Sequence, residues 1–244
     1  MIRGINSKPF IDLDKYLDLE ALDYIKEEII FGICKSKRYQ GSYGRGILYK
    51  DKYLDFREAE ELVTKDPILH DQYVKLLSVD DKRFFLKLHY NCYSNYWAIM
   101  LRSAMEYKDK HDSSKCVWLN NANYFNSLVD WIEDQSLFSE IGRVTIFLSE
   151  HQLETPIHLD NPGDIYKPHC HEFAWIGFGN KRIFVFDKDN SKKYYTDNRA
   201  VFFNDIDYHG VEASSTMDFS LRIDGKFSKG ARISMGSHGT NPLY

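Results

Sequence analysis

Residues 172–186 read EFAWIGFGNKRIFVF, and this stretch indicates the fold of the second half of the chain. Its two ends are rich in aromatic and β-branched side chains, which favour strands. Between them lies Gly179-Asn180, a pair of residues that favours a tight turn. The stretch therefore predicts two strands joined by a turn, and the same pattern of short apolar runs and turn residues continues on both sides of it.

Eight short strands are predicted after residue 140. They cover residues 143–148, 155–160, 172–178, 182–186, 193–196, 200–203, 209–213 and 219–227. Eight short antiparallel strands are typical of a double-sheet jelly roll, which is the architecture of cupins.

Before residue 140, apolar residues recur at helical spacing. Four stretches of this kind predict helices, at residues 22–30, 55–64, 96–105 and 125–132. We therefore predict an α+β fold in which a helical N-terminal half packs on a double-stranded β-helix. The predicted organisation is a single domain over residues 1–244, with a mainly helical flank (1–140), a β-helix catalytic core (141–228) and a tail (229–244).

Composition and charge exclude several classes of protein. Hydrophobic residues make up 43% of the chain and charged residues 28%, which is typical of a globular protein. The net charge of −4 argues against a surface that follows nucleic-acid phosphates, so no nucleic acid partner is expected. No apolar run approaches the ~18 residues of a membrane span, and residues 1–10 lack the apolar segment of a signal peptide. Together with four scattered cysteines, these features predict a cytoplasmic protein.

The clearest functional signal is a set of three potential metal ligands on predicted strands. His158 and Asp160 form a His-x-Asp triplet, and His209 follows 49 residues after the aspartate. Two imidazoles and one carboxylate are the ligand set of non-haem Fe(II) oxygenases, and they leave the other coordination positions open for substrate and O₂. Arg222 lies 13 residues further on and carries forked donors that can hold a carboxylate bidentately, as a dicarboxylate co-substrate requires.

Strand alternation places these side chains on the inner face of the predicted barrel. His158 and Asp160 are two residues apart on one strand, so they share a face. On the last strand Ser220, Arg222 and Asp224 share one face, and the apolar residues between them share the other. The pattern predicts a polar interior and an apolar outer face covered by helices, which suits a barrel that holds a metal and a dicarboxylate.

From about residue 143 to residue 227 the chain resembles the Fe(II)/2-oxoglutarate-dependent oxygenases. That family carries His-x-Asp on the second strand, a distal His on the seventh and an Arg on the eighth. The matching segments are Pro156-Ile-His158-Leu-Asp160, Phe203-Asn-Asp-Ile-Asp-Tyr-His209-Gly-Val and Leu221-Arg222-Ile. The resemblance implies Fe(II) bound by His158, Asp160 and His209, with 2-oxoglutarate anchored by Arg222. Asp224 departs from subgroups that carry Ser there, and its carboxylate could orient Arg222 or, pointing inward, repel the co-substrate.

A second histidine cluster, His169-Cys170-His171, precedes the third strand. It could compete for the metal as the His-x-His of a cupin, although the second cupin half-motif is not evident. In the aspartyl/asparaginyl β-hydroxylase and proline hydroxylase branches, a His starts this strand. The resemblance then implies that His171 hydrogen-bonds the co-substrate, and a purely structural His171 is the alternative.

The implied activity is hydroxylation of an aliphatic C–H bond, with release of succinate and CO₂ from 2-oxoglutarate. Asp160 favours hydroxylation, since related halogenases carry a small residue in its place, and desaturation or ring formation on the same iron stays open. We expect a small-molecule substrate, such as an amino acid or its derivative, because a chain of this size shows no second domain. Two alternatives stay open: a hydroxylase of protein or peptide side chains, and a cupin-like module that holds a metal without turnover.

Overall fold

The computed structural model describes residues 2–36, 39–40, 46–49, 52–77, 82, 85–86, 96–105, 112–149, 155, 157–158, 160, 172–212 and 218–236. Within these residues the α-helices are Leu19–Tyr24 (α1), Lys26–Lys35 (α2), Phe56–Thr64 (α3), Pro67–Val74 (α4), Asn126–Asp134 (α5) and Lys229–Ser234 (α6). The first strands are Ile11–Asp12 (β1), Tyr39–Gln40 (β2), Gly46–Tyr49 (β3), Lys52–Asp55 (β4), Tyr96–Ala104 (β5) and Cys116–Trp118 (β6). The later strands are Phe138–Ser149 (β7), Glu172–Gly177 (β8), Ile183–Asp187 (β9), Lys192–Tyr195 (β10), Ala200–Phe202 (β11), His209–Val211 (β12) and Phe219–Phe227 (β13).

The strands after residue 137 wind between two antiparallel sheets. In the larger sheet the order is β1-β11-β8-β13-β7-β5-β2, with β6 beside β5. The smaller sheet has the order β10-β9-β12, and His158 extends it through an antiparallel bridge to His209. Along the chain, β7 and β8 lie in the larger sheet, β9 and β10 in the smaller, β11 in the larger, β12 in the smaller and β13 in the larger. This alternation is the winding of a double-stranded β-helix, so the predicted jelly roll is confirmed.

The two faces of β13 explain how the core is divided. Leu221 and Ile223 are no more than 1% exposed and belong to the main apolar cluster. The helices contribute Leu22, Ile29, Ile33, Leu128, Trp131 and Ile132 to the same cluster. Ser220 and Arg222 are also buried, but on the opposite face of the strand. The apolar face therefore packs under the helices, and the polar face lines the interior of the barrel, as the alternation predicted.

The predicted helix over residues 96–105 is wrong, because the segment forms β5. It pairs antiparallel with β7, and the register shifts between Met100 and Arg102. Ile99, Leu101 and Ser103 are the buried residues, with the two-residue period of a strand. Ala98, Met100 and Ala104 on the other face are partly exposed but also apolar, so the combined spacing of the apolar residues resembles that of a helix.

Other helices agree with the sequence, with local differences. The predicted helix at residues 22–30 is two helices, which meet at Ile25. α3 and α4 share a separate small apolar cluster that contains Val63 and Tyr73. The first part of the expected tail forms α6, and Arg232 on this helix donates two hydrogen bonds to the buried Glu172, at 2.8 and 2.6 Å. None of the described helices is both long enough and apolar enough to cross a bilayer.

Candidate metal centre

Two histidines are brought together by the pairing of neighbouring chain segments. His158 and His209 exchange backbone N–H···O hydrogen bonds, both 2.9 Å long, and their ring centroids lie 4.5 Å apart. Gly210 permits this close approach, because a Cβ at this position would lie 2.6 Å from the Phe184 ring and 2.9 Å from the carbonyl oxygen of Thr155. A larger residue after His209 would push the two segments apart.

Asp160 completes a group of three potential ligands. Its carboxylate oxygens lie 3.7 Å from Nε2 of His158 and 3.9 Å from Nε2 of His209. One donor atom from each of the three side chains lies within 4.8 Å of the others. The structure thus brings together the three residues that the sequence singled out. Their donor set of two imidazole nitrogens and one carboxylate oxygen fits a divalent transition metal of the non-haem iron type.

The ring of His209 is oriented by a contact between its Nδ1 atom and the backbone of Asp207. Nδ1 lies 2.9 Å from the carbonyl oxygen of Asp207, to which it can donate a hydrogen bond. A neutral ring that donates from Nδ1 keeps the lone pair of Nε2 for a metal. Burial, followed by the charge of His158, lowers the pKa of His209 to about 4. His209 is therefore neutral at neutral pH, which is the form that a metal ligand requires.

Arg222 lies beside these ligands and is surrounded by carboxylates. Its Nη1 donates to Asp160 at 2.7 Å, its Nη2 to Asp205 at 3.3 Å and its Nε to Asp224 at 2.7 Å. Its guanidinium carbon lies 3.8 Å from the centroid of the Phe173 ring, which is a cation–π arrangement. Of the two roles that the sequence left open for Asp224, the geometry shows the first: its carboxylate orients Arg222.

Burial and neighbouring charges shift the pKa values of the three aspartates around Arg222 in different directions. Burial alone would raise the pKa of Asp160, but the charges of Arg222, His209 and His158 outweigh it and hold the pKa below its usual value. Burial also opposes ionisation of Asp224, whose pKa is nevertheless lowered to about 2 by Arg222 and Arg143. Asp205 differs, because burial dominates and raises its pKa to about 7. Asp160 is thus ionised and available to a metal at neutral pH.

A cavity of about 90 Å³ adjoins the three ligands. Its wall includes His158, Asp160, His209, Arg222, Phe147, Thr155, Trp175, Lys181, Ile183, Phe203, Val211 and Ser220. Ser220 is 1% exposed, and its hydroxyl has no hydrogen-bond partner among the described residues. A buried hydroxyl of this kind is available to a polar ligand in the cavity.

Lys181 is a functional candidate that the sequence analysis missed. It is 6% exposed, and its Nζ donates to the carbonyl oxygen of Phe147 at 3.1 Å. Burial lowers its pKa to about 7, against an opposing effect of Asp218. Arg182, the next residue after the Gly179-Asn180 turn and Lys181, is by contrast exposed. Alternation was the available signal, because Lys181 lies two residues before Ile183, which also lines the cavity.

Three expectations lie outside the described residues. The histidine cluster His169-Cys170-His171 is one, so the predicted contact of His171 with the co-substrate stays a prediction. The others are residues 156 and 159 of the second predicted strand, whose described residues 155, 157, 158 and 160 form only the isolated bridge of His158 to His209, and residue 213 at the end of the seventh predicted strand.

Comparisons with known proteins return similarity in structure only. No family model matches the chain, and no curated protein sequence matches it. Similar solved structures include a prolyl hydroxylase from Trichoplax adhaerens in complex with a hypoxia inducible factor peptide fragment, at 12% identity over 96% of this chain and 89% of that chain, with a TM-score of 0.44. A member of the 2OG-Fe(II) oxygenase family from Burkholderia pseudomallei matches at 10% identity over 53% of this chain and 65% of that chain, with a TM-score of 0.33. An RmlC-like cupin from Desulfovibrio desulfuricans matches at 20% identity over 34% of this chain and 70% of that chain, with a TM-score of 0.25.

Fold and site together define a double-stranded β-helix protein with a His-Asp-His group at its cavity. These similar structures are a 2OG-Fe(II) oxygenase, a prolyl hydroxylase and a cupin, and all three TM-scores lie below 0.5. The strand order and the His-Asp-His group of this chain are the fold and the candidate ligand set that the sequence predicted.

Proposed function

We propose that the protein is a non-haem Fe(II)/2-oxoglutarate-dependent oxygenase that hydroxylates an aliphatic C–H bond of a small molecule. The observation that carries this proposal is the convergence of His158, Asp160 and His209 on the wall of a cavity that also contains buried cations. The site is not a packed apolar core, since Arg222, Lys181 and Ser220 all reach the cavity wall. Such polar groups are stable inside a barrel when they bind one another or a ligand.

The three ligands would hold Fe(II) on one side of the ion. Fe(II) held by these residues would supply the oxidative decarboxylation of 2-oxoglutarate to succinate and CO₂, in which one atom of O₂ goes to succinate and the other to the substrate. The chain orients the ligands: Asp207 holds the His209 ring, and Arg222 binds Oδ2 of Asp160. The bond from Arg222 to Oδ2 would hold the Asp160 carboxylate in one orientation toward a metal.

Two buried cations can hold the carboxylate of the co-substrate. Arg222 is the one that the resemblance implies, and its forked donors suit a carboxylate. A specific observation favours Lys181 as a second candidate. Arg222 already contacts three carboxylates, whereas the hydrogen bond of Lys181 goes to a neutral carbonyl, and the hydroxyl of Ser220 lines the same cavity. An incoming carboxylate therefore meets less negative charge at Lys181 than at Arg222.

The size of the cavity supports a small substrate. Its volume of about 90 Å³ adjoins a second cavity of about 440 Å³, and the two share Trp175, Lys181 and Ile183. The larger cavity, whose volume lies in the range of sites that bind small molecules, borders the metal-site cavity but is not lined by His158, Asp160 or His209. Amino acids and their derivatives fit this size, and the partner that we propose is such a molecule and not a nucleic acid. A peptide side-chain hydroxylase and a cupin-like module without turnover are the alternatives.

Succinate release tests the activity. Purified protein with Fe(II), ascorbate, 2-oxoglutarate and O₂ should release succinate, and one member of a panel of free amino acids should accelerate the release. Asp160→Gly is the matched control, because it removes one ligand from a cavity wall and should release no succinate. Acceleration by peptides alone would point to the peptide hydroxylase. Metal binding with no succinate release under any condition would point to the cupin-like module.

Substitution of Lys181 by Met should have two opposite effects. At neutral pH it should increase the free energy of unfolding by roughly 1–3 kcal/mol, because an incompletely compensated polar group leaves the interior. It should also weaken binding of 2-oxoglutarate about 10- to 100-fold, the value of one hydrogen bond to a charged group. Urea denaturation measures the first effect, and titration of the Mn(II)-loaded protein with 2-oxoglutarate measures the second.

The pH dependence gives a further check on Lys181. Its pKa is lowered from 10.5 to about 7 on folding, so between these values the unfolded chain binds a proton that the folded chain does not. The stability of the native protein relative to Lys181→Met should therefore rise as the pH rises from 7 towards 10. Arg182→Met is the control, because Arg182 is exposed and should change neither quantity. Unchanged 2-oxoglutarate affinity in Lys181→Met, with a loss in Arg222→Lys, would leave Arg222 as the anchor.

A further inference from the structure

An N-terminal segment, residues 3–8, is hydrogen-bonded to the loop of residues 203–208 that precedes His209. The backbone N–H groups of Arg3 and Gly4 donate to Oδ1 and Oδ2 of Asp207, each at 2.7 Å. Asp207 is 6% exposed, so its carboxylate is removed from water and depends on these two donors. The side-chain amide of Asn204 adds a third bond, to the carbonyl oxygen of Gly4, at 3.2 Å.

The same loop supports two of the three candidate metal ligands through backbone carbonyls. The carbonyl of Asp207 faces Nδ1 of His209 at 2.9 Å, and the carbonyl of Asp205 accepts from the backbone N–H of Asp160 at 3.0 Å. Asp207 is itself bonded to Asn204 within the loop, through N–H···O at 2.9 Å. Any shift of this loop would therefore move supports of both His209 and Asp160.

The N-terminal segment has a tight local structure around Ile5. Ile5 is 1% exposed in the main apolar cluster, and it exchanges two backbone hydrogen bonds with Lys8, at 2.8 and 2.9 Å. Gly4 has φ +63°, and a Cβ there would lie 2.6 Å from the carbonyl oxygen of Lys8. Only glycine adopts this conformation without strain at such close range. The position of the two donated N–H groups is therefore fixed by tight local structure.

We propose that Asp207 is a positioning residue of the metal centre, and that the segment at Arg3 and Gly4 holds it in place. The side chain of Asp207 binds the N-terminal segment while its carbonyl aligns the His209 ring. The inference rests on the proposed metal site and is independent of the reaction that the site performs. Outer hydrogen-bond partners of metal-bound histidines commonly change metal affinity by about 10- to 100-fold.

A Co(II) titration of the protein at fixed neutral pH tests the inference. Asp207→Ala removes both acceptors of the N-terminal amides and should weaken Co(II) binding about 10- to 100-fold. Asp207→Asn keeps one acceptor oxygen and should give an intermediate dissociation constant. Both variants should alter the visible absorption of bound Co(II), because the His209 ring is no longer held in one orientation.

Asp14→Ala is the matched control. The carboxylate of Asp14 also accepts two backbone N–H bonds, from Ala200 at 2.6 Å and Arg199 at 3.2 Å, and it also ties the N-terminal part of the chain to the barrel. It makes no contact with the three candidate ligands within the described structure. Asp14→Ala should therefore lower the melting temperature without changing the dissociation constant or the Co(II) spectrum.

The outcomes separate the two proposals. Suppose that Asp207→Ala and Asp207→Asn bind Co(II) as tightly as the native protein and differ from it only in a lower melting temperature. The positioning role of Asp207 is then overturned, and the proposed metal site stands. If the native protein itself binds no Co(II), the metal site and the inference both fall. Should Asp207→Ala not fold, Gly4→Ala disturbs the same contact from the N-terminal side and should also weaken Co(II) binding. Native affinity in both Gly4→Ala and Asp207→Asn would overturn the inference.

Discussion

His209→Ala should lose stoichiometric Fe(II) binding and all turnover. The side chain supplies one of three donors, it is 4% exposed, and its ring is already oriented by the carbonyl of Asp207. Loss of a direct ligand should exceed the loss of about 10- to 100-fold that follows removal of an outer hydrogen-bond partner. His158→Ala should behave in the same way. Iron content after gel filtration and Co(II) titration measure the effect.

The controls for this prediction separate ligand loss from unfolding. His70 lies on α4 outside the metal group, and His70→Ala should keep native iron content. The melting temperatures of the ligand variants report whether the fold survives. If the double variant His158→Ala/His209→Ala still binds one iron per chain, the proposed triad is wrong. The histidines at positions 169 and 171 then become the favoured ligands.

Arg222→Met should be the most destabilising single substitution of the cavity wall. It leaves the carboxylates of Asp160, Asp205 and Asp224 without their shared cation in a buried setting. Removal of one partner from a buried ion pair commonly costs about 3–5 kcal/mol of folding free energy. Urea denaturation at neutral pH measures the loss. It should shrink as the pH falls towards 5, because protonation relieves the repulsion among carboxylates whose pKa values rise without the arginine.

Two other arginines, which are more exposed than Arg222, serve as controls for the loss of a positive charge. Arg143 donates to Asp224 at 2.8 Å, and its side chain is 27% exposed, so Arg143→Met should cost less than Arg222→Met. Arg182 is half exposed and lies near Asp197 at 3.8 Å, so Arg182→Met should change stability by no more than about 0.5 kcal/mol. Native stability of Arg222→Met at neutral pH would mean that the carboxylate network does not form in solution.

Residues 219–227 show how much local pattern alone predicts. The alternation of polar and apolar residues predicts both the bounds of β13 and the face on which Arg222 lies. It succeeds because neighbouring side chains of a strand point to opposite sides, whichever strands lie beside it. His158 and Asp160 share a face for the same reason. Their convergence with His209 follows from the order of the strands in a jelly roll, so the candidate ligand set was predictable once eight strands were recognised.

Residues 96–105 show where local pattern misleads. The apolar residues of β5 occur on both faces, since Ile99 and Leu101 are buried and Ala98 and Met100 between them are partly exposed. Apolar residues on both faces hide the two-residue period of burial in the sequence, and their combined spacing then matches a helix by coincidence. The correct assignment depends on pairing with β7, which is a property of the folded chain and not of the segment.

The electrostatic setting of the site was decided only by the tertiary structure. Arg222 meets Asp160 across 62 residues, and Arg3 meets Asp207 across 204 residues. These contacts depend on the relative placement of strands and loops, which no local period encodes. Lys181 is a further case, since the same residue beside a turn is exposed in one packing and buried in another. The sequence alone therefore determined which residue types line the barrel, because strand alternation is local. Their partners, their charge states and the support of His209 by the N-terminal segment were determined by long-range packing.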